Sequence, residues 1–178
     1  TPRTRGNHPG IIDYKGKSYC FGLNYDIFRL KTGRHAEQRS VSVAEMAYNP
    51  DGTIQELPYF QDCKLEQVEW FNPYRRVEAE TMAWGYGLKT QPKNEWAQKD
   101  KWNQIVTDID EDEYILVKGV DFKKGAGKFE VSASCHMLGG SIEIRLDGVN
   151  GLCIGKVDIS NTKDEYKTFS TQVKKVKG

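Results

Sequence analysis

Apolar and polar positions alternate in short runs along the first seventy residues, and turn residues separate the runs. "GIIDY" (10–14) is a brief apolar run, "KGKS" closes it as a turn, and "YCFG" (19–22) returns, which predicts a tight hairpin. A polar, basic stretch follows over 24–39. "SVSVAEMAYN" (40–49) then alternates as a strand, with Val41 and Val43 on one side and Ala44, Met46 and Tyr48 on the other. "NPDG" (49–52) is a turn, Pro fixing φ and Asp-Gly supplying the left-handed backbone of a tight hairpin, and "TIQEL" (53–57) returns as a fourth strand. Four antiparallel strands make a meander that cannot bury both of its faces. Its size and connectivity are those of one propeller blade, which is stable only against neighbouring blades.

A second pattern begins at "NPYRRVEAETMAWG" (72–85), where Glu78 and Glu80 flank an alanine ahead of Trp84 and Tyr86. Read as a strand, it projects Glu78 and Glu80 from the same side, because side chains two apart share a face. Period-two runs follow at 113–122, 128–137, 141–147, 152–159 and 166–176, separated by "KKGAG", "LGG", "DGVNG" and "SNTKDE". Short strands at this spacing predict a β-sandwich of jelly-roll type. The stretch 93–104 has Trp96 and Trp102 off helical spacing and reads as a loop. The fold expected is all-β, in two domains, 1–70 and 71–178.

Composition narrows the function without naming it. Charged residues make up 29% of the 178 but nearly cancel, for a net charge of +1, so there is no electrostatic case for nucleic acid. No apolar run approaches the length of a membrane span. A start at "TPRTRGNHPG", with no initiator Met and no visible secretory signal, reads as a processed or truncated piece. None of the four cysteines has C-x-x-C spacing, which argues against a zinc ribbon. Cys135 and Cys153 are placed either to pair across a sandwich or to stay as buried free thiols.

Two segments carry a resemblance. "GNHPGIIDYKGKSYCF" with "RSVSVAEMAYNPDGTI" resembles the last blade of glycoside hydrolase family 43, five-bladed propeller enzymes that act on arabinoxylan. "NPYRRVEAETMAWGYGLKT", "VTDIDEDEYILVKGVDF", "SIEIRLDGVNGLCIGKVDI" and "YKTFSTQVKKVKG" are similar to a carbohydrate-binding module of family 6. Together they cover almost the whole chain. The resemblance implies part of a secreted or cell-surface hydrolase of plant cell-wall hemicellulose. The activity would be an inverting α-L-arabinofuranosidase or β-xylosidase, monomeric, with this blade packed on the other blades. Inversion needs an acid and a base far enough apart to admit water. No acid in 1–60 matches the family's catalytic motifs, so those carboxylates are expected outside these residues. Asp13, Asp26, Glu37 and Glu45 read as turn or surface residues.

The resemblance also implies sites. Glu78 and Glu80 would hold a structural calcium, a hard ion that prefers carboxylate oxygens; the other reading is a solvated acidic face beside Arg75 and Arg76. The family's further Asp ligand would belong to a final strand beyond Gly178. His8 would lie on the propeller axis beside a second calcium, under the sugar pocket. Arg39 either reaches that pocket or pairs with Glu37, and His35 borders the cleft. Sugar recognition stacks rings on pyranose C–H faces. Of the family's two loop rings, one position holds Asp108, a departure, and the other Tyr166. Trp84, Tyr86, Trp96 and Trp102, read as lying in nearby loops, either substitute for the lost ring or pack on the sandwich end or against the propeller. Weak binding of xylan-type chains follows from that departure. Two other classes stay open: a non-catalytic carbohydrate-binding or adhesion protein, and an immunoglobulin-type sandwich, which the lack of Cys…Trp…Cys spacing disfavours.

Overall fold

Tyr14 and Lys17 pair across a two-residue turn in the computed structural model, which describes residues 8–24, 29–30, 33, 40–93 and 103–178. Lys15 and Gly16 hold φ of 51° and 77°, the doubly left-handed turn whose twist matches that of the flanking strands. It joins β1 (Gly10–Tyr14) to β2 (Lys17–Asn24), and β3 (Ser40–Met46) pairs with β2 on the other side. The result is an antiparallel sheet in the order β1-β2-β3.

Alternation decides its faces. Ser42, Ala44 and Met46 on β3 are buried, as are Cys20 and Asn24 on β2, while Val41 is 74% exposed. β1 is open along its whole length, Ile11 and Ile12 included. The fourth strand expected at 53–57 is reduced to one bridge, Tyr48 to Ile54, flanked by Asn49 N–H to Thr53 O and Gln55 N–H to Ala47 O. The turn itself is present, with Gly52 N–H donating to Asn49 O. Only Gly52 (φ 84°) is left-handed there; Asp51 instead accepts hydrogen bonds from the Thr53 amide and hydroxyl. Past Gln55 the chain leaves its partner, and Pro58 has no amide to continue a ladder. A single 3-10 turn, Phe60–Asp62, follows.

The chain divides into two compact units, Thr1–Val68 and Glu69–Gly178. In the second, the strand expected over 72–85 does not form before Trp84. Asn72 Oδ1 caps the Tyr74 amide, and Thr81 N–H closes a turn on Glu78 O; local bonds of this kind compete with a ladder. β4 (Trp84–Tyr86) pairs with β7 (Tyr114–Leu116), and β5 (Lys89–Pro92) with β6 (Gln104–Thr107). The sequence reading missed β5 and β6. β8 (Lys128–Ala133) pairs with β11 (Lys167–Gln172), and β9 (Gly140–Arg145) with β10 (Cys153–Ile159).

β10 carries the buried apolar side chains of this unit among the described residues. Its register slips between Cys153 and Gly155, leaving Ile154 as an extra residue. A bulge of that kind shifts the alternation by one, so Ile154 and Val157 are both buried, at 4% and 2% exposure. Lys174 N–H donates to Ile154 O, which ties the chain after β11 to the bulge. Thr162, buried after β10, accepts the Cys135 amide at 2.9 Å, and its own amide donates to Cys135 O. All four cysteines are free thiols, so Cys135 and Cys153 are not bridged. Among the described residues, no helix is long and apolar enough to cross a membrane.

Candidate functional site

Tyr166 stands just before β11, 45% exposed, with the Lys93 ammonium 5.6 Å from its ring centroid. Asp108 stands just after β6 with φ 52°, and accepts a 2.8 Å hydrogen bond from Lys89 Nζ. That bond, and the lysine's charge with it, hold the Asp108 carboxyl below the usual carboxylate range and push Lys89 up. Lys89 opens β5 and Lys93 follows its last residue. Four residues of extended chain put their backbones about 13 Å apart. The two predicted sugar contacts are therefore tied to opposite ends of the β5–β6 pair. Trp84 is not in a loop: it is half-buried on β4, opposite Leu116.

The predicted metal ligands are placed differently from the sequence reading. Glu78 and Glu80 lie in the turn that precedes Thr81, so no strand projects them to one side. Glu78 Oε1 lies 3.3 Å from Arg76 Nε, both exposed. Calcium takes roughly six to eight oxygens, and among the described residues no group of three or more His, Cys, Asp or Glu is gathered to hold a metal ion. The donor set on view thus falls short of a calcium shell. His8 is exposed, two residues before β1. Arg39, His35, Trp96 and Trp102 lie outside the described residues.

A set of residues that the sequence did not bring together is more closely built. Tyr86 and Tyr114 are direct cross-strand partners in β4 and β7, and their rings stack with centroids 5.7 Å apart at 18°. Beside them lies an open pocket of about 440 Å³ lined by Tyr86, Asp112, Tyr114, Val149 and Asn150. Glu113 fixes the loop that carries Asp112: its carboxylate accepts the Asp110 amide, and its amide donates to Asp110 O. The same carboxylate lies where a Cβ on Gly87 would sit, so only glycine (φ 84°) fits there. Gly151 N–H donates to Gly148 O, and Gly151 O accepts from Arg145 Nη1, which fixes the loop carrying Val149 and Asn150. Knowing that Tyr86 faces Tyr114 requires the strand register, which period-two patterning does not supply.

The chain matches the family model described as carbohydrate binding module (family 6) over residues 78–178. It is 31% identical over 152 residues to an arabinoxylan arabinofuranohydrolase of Bacillus subtilis (strain 168), covering 85% of this chain and 29% of that one. A second such enzyme, from Paenibacillus polymyxa, is 30% identical over 88% of this chain and 24% of its own length. The chain therefore spans under a third of the curated relatives it matches. Among solved structures, a glycoside hydrolase family 43 arabinoxylan arabinofuranohydrolase from Bacillus subtilis, in complex with cellotetraose, superposes with a TM-score of 0.78. It is 29% identical, and the match covers 97% of this chain and 35% of that one.

Proposed function

The chain belongs, through residues 78–178, to family 6 of the carbohydrate-binding modules, and from that premise we propose that it is part of a hydrolase of plant cell-wall arabinoxylan whose second unit holds the polysaccharide. The observation that carries this reading is the reach of the likeness. The 152 aligned residues are more than residues 78–178 can supply, so the first unit shares the relationship as well. On this reading the sheet β1-β2-β3 with its Tyr48–Ile54 bridge is the last blade of a five-bladed propeller. Its open strand β1 suits a neighbouring blade. The parent enzyme is an inverting α-L-arabinofuranosidase or β-xylosidase, secreted or surface-bound because its polymeric substrate lies outside the cell, and monomeric. The non-catalytic adhesion reading has no observation of its own in its favour.

In this proposal the module contacts a xylan-type chain at Tyr166, with Trp84 and Asp108 as the other predicted contacts. Tyr166 keeps an open ring, but Lys93 covers part of it and Asp108 is engaged by Lys89, so binding is weak. Affinity electrophoresis through arabinoxylan tests the reading: retardation of the chain supports it, and free migration at high polysaccharide loading defeats it.

Calcium is a separate part of the proposal. Glu78 and Glu80 would contribute two carboxylate ligands, with Arg76 turned away from Glu78. A metal bound by the native state alone raises the melting temperature as its concentration rises. A melting temperature indifferent to calcium and to chelator, in the chain and in Glu78→Gln alike, removes calcium from the proposal. His8 and Arg39 belong to the active-site side of the parent enzyme, where His8→Ala is expected to lower turnover much more than stability.

A further inference from the structure

We infer that Lys93 is a specificity residue beside Tyr166 and that it selects an anionic ligand: its ammonium takes the carboxylate of a uronic acid unit borne by the polysaccharide that Tyr166 contacts. The inference rests on the reading of Tyr166 as a sugar contact and adds the charge of the ligand, which that reading leaves open.

Three observations carry it. The first is the place of the cation. Lys93 N–H donates to Asn103 O at 2.8 Å, just beyond the Pro92–Gln104 pair that ends the β5–β6 ladder, so its backbone is held. Its ammonium stands 5.6 Å from the Tyr166 ring centroid, and Tyr166 is still 45% exposed. A pyranose against the open part of that ring has a cation within reach of its substituents. The second is what the cation lacks. Among the described residues Lys93 meets a ring and no carboxylate. An ammonium over an exposed ring is held by a weak electrostatic contact, whereas an ionised carboxylate offers it a short, charge-assisted hydrogen bond. The third is the charge along the chain at Tyr166. Asp164 is engaged by His136 Nδ1 at 2.7 Å. That leaves Glu165 against Lys93, Lys163 and Lys167, all of them exposed.

Distance keeps the acidic 108–113 loop from cancelling this charge. Asp108 lies at the Lys89 end of the β5–β6 pair and is itself paired there, so the loop begins about 13 Å along the ladder from Lys93. Exposed charges are screened within about 8 Å at physiological salt. The chain as a whole carries a net charge of only +1, so bulk attraction does not select an anion. A neutral sugar offers the ammonium hydroxyl oxygens alone, which are weaker acceptors than a carboxylate. Uronic acids are the anionic sugars of plant cell-wall polysaccharides, and they present the same carboxylate whether they stand in a branch or in the main chain.

Calorimetry compares xylohexaose, xylohexaose bearing one glucuronosyl branch, and hexagalacturonate. In about 0.15 M salt the branched sugar is expected to bind roughly threefold to fivefold more tightly than xylohexaose, the worth of one exposed ion pair. Hexagalacturonate binding more tightly still would support the same contact and place the carboxylate in a main chain. The preference for an acidic sugar is expected to vanish in Lys93→Gln and in about 1 M salt. It is expected to persist in Lys93→Arg, which keeps the charge, and in Lys124→Gln, which removes a lysine from another loop. If the unaltered chain binds acidic and neutral sugars equally, or the preference survives Lys93→Gln, the role of Lys93 is refuted and the module's sugar binding stands. If no oligosaccharide of either kind binds, the sugar-binding reading fails and this inference with it.

Discussion

Thr162 is the largest fully buried side chain among the described residues, at 1% exposure, and it is polar. Its hydroxyl oxygen accepts the Cys135 amide. Thr162→Val keeps the shape and removes the acceptor, leaving the part-buried Cys135 amide without that partner. The expected loss is about 1–3 kcal/mol, measured as a lower urea midpoint with an unchanged slope. Asp108, by contrast, is exposed and held by Lys89. Its carboxyl is lowered by that hydrogen bond, so whatever stability the pair adds is present above the usual carboxylate pKa. That stability is lost as pH falls through the lowered value. Surface pairs of this kind add little, so the titration is the useful readout. By NMR, the Asp108 carboxyl should titrate below the ordinary range and return to it in Lys89→Met. An Asp108 titration that Lys89→Met leaves in place would refute the pairing. At this scale sequence was a poor guide. Asp108 was legible as a departure from an aromatic pattern, but nothing along the chain showed that Lys89 would occupy it. The stacking of Tyr86 on Tyr114 was equally hidden, since it depends on register.

At the scale of elements, the legible strands were those marked by an apolar or alternating run next to a turn signal. β1, β3, β8, β10 and β11 fall within runs read from patterning and turn residues, while β2 and β9 extend beyond the runs read at 19–22 and 141–147 into residues read as turns. The failures share a physical cause: a strand exists only where it has a partner. "TIQEL" has the composition of a strand, yet it keeps a single bridge because the chain departs after Gln55. "RRVEAET" alternates, yet side-chain and backbone bonds over Asn72–Tyr74 and Glu78–Thr81 hold turns instead. That outcome removes the strand geometry on which the Glu78–Glu80 pairing rested. β5 and β6, four residues each, were missed: KTQP has no apolar alternation to mark it, and QIVT begins inside the stretch read as a loop. The bulge in β10 gives a test at this scale. Ile154 is buried at 4% exposure by a one-residue slip, whereas Ile142 on the paired strand β9 is 37% exposed. Ile154→Ala should therefore cost about 2–5 kcal/mol, the range for a buried isoleucine. Ile142→Ala should fall well below that. Equal losses in chemical denaturation would mean that the bulge does not direct Ile154 inward.

For the molecule as a whole, the proposed reading assigns the two units different tasks, and the acids of the first unit bear on it. Inverting hydrolysis needs a general acid and a general base held on either side of the scissile bond, about 6.5–9.5 Å apart. A carboxyl suited to that task is free to exchange protons with substrate and water. The described acids of the β1-β2-β3 sheet and its turn are occupied otherwise. Asp13 accepts the Ser18 hydroxyl at 2.6 Å, Glu45 pairs with Lys17 at 2.8 Å, and Asp51 holds the Thr53 amide and hydroxyl. Each of them serves a hairpin or a strand pair. They are turn and surface residues, as the sequence had suggested for Asp13 and Glu45. In the second unit five acids lie together in the 108–113 loop, Asp108, Asp110, Glu111, Asp112 and Glu113. Binding without turnover is therefore expected of the 178-residue chain. It should be retarded by arabinoxylan in a gel, yet release no nitrophenol from an aryl α-L-arabinofuranoside or an aryl β-xyloside. Neutralising Asp13, Glu45 or Asp51 should leave that result unchanged. Turnover by the purified chain, abolished by substituting any one of its own acids, would place a catalytic carboxylate within these residues and overturn the division of labour.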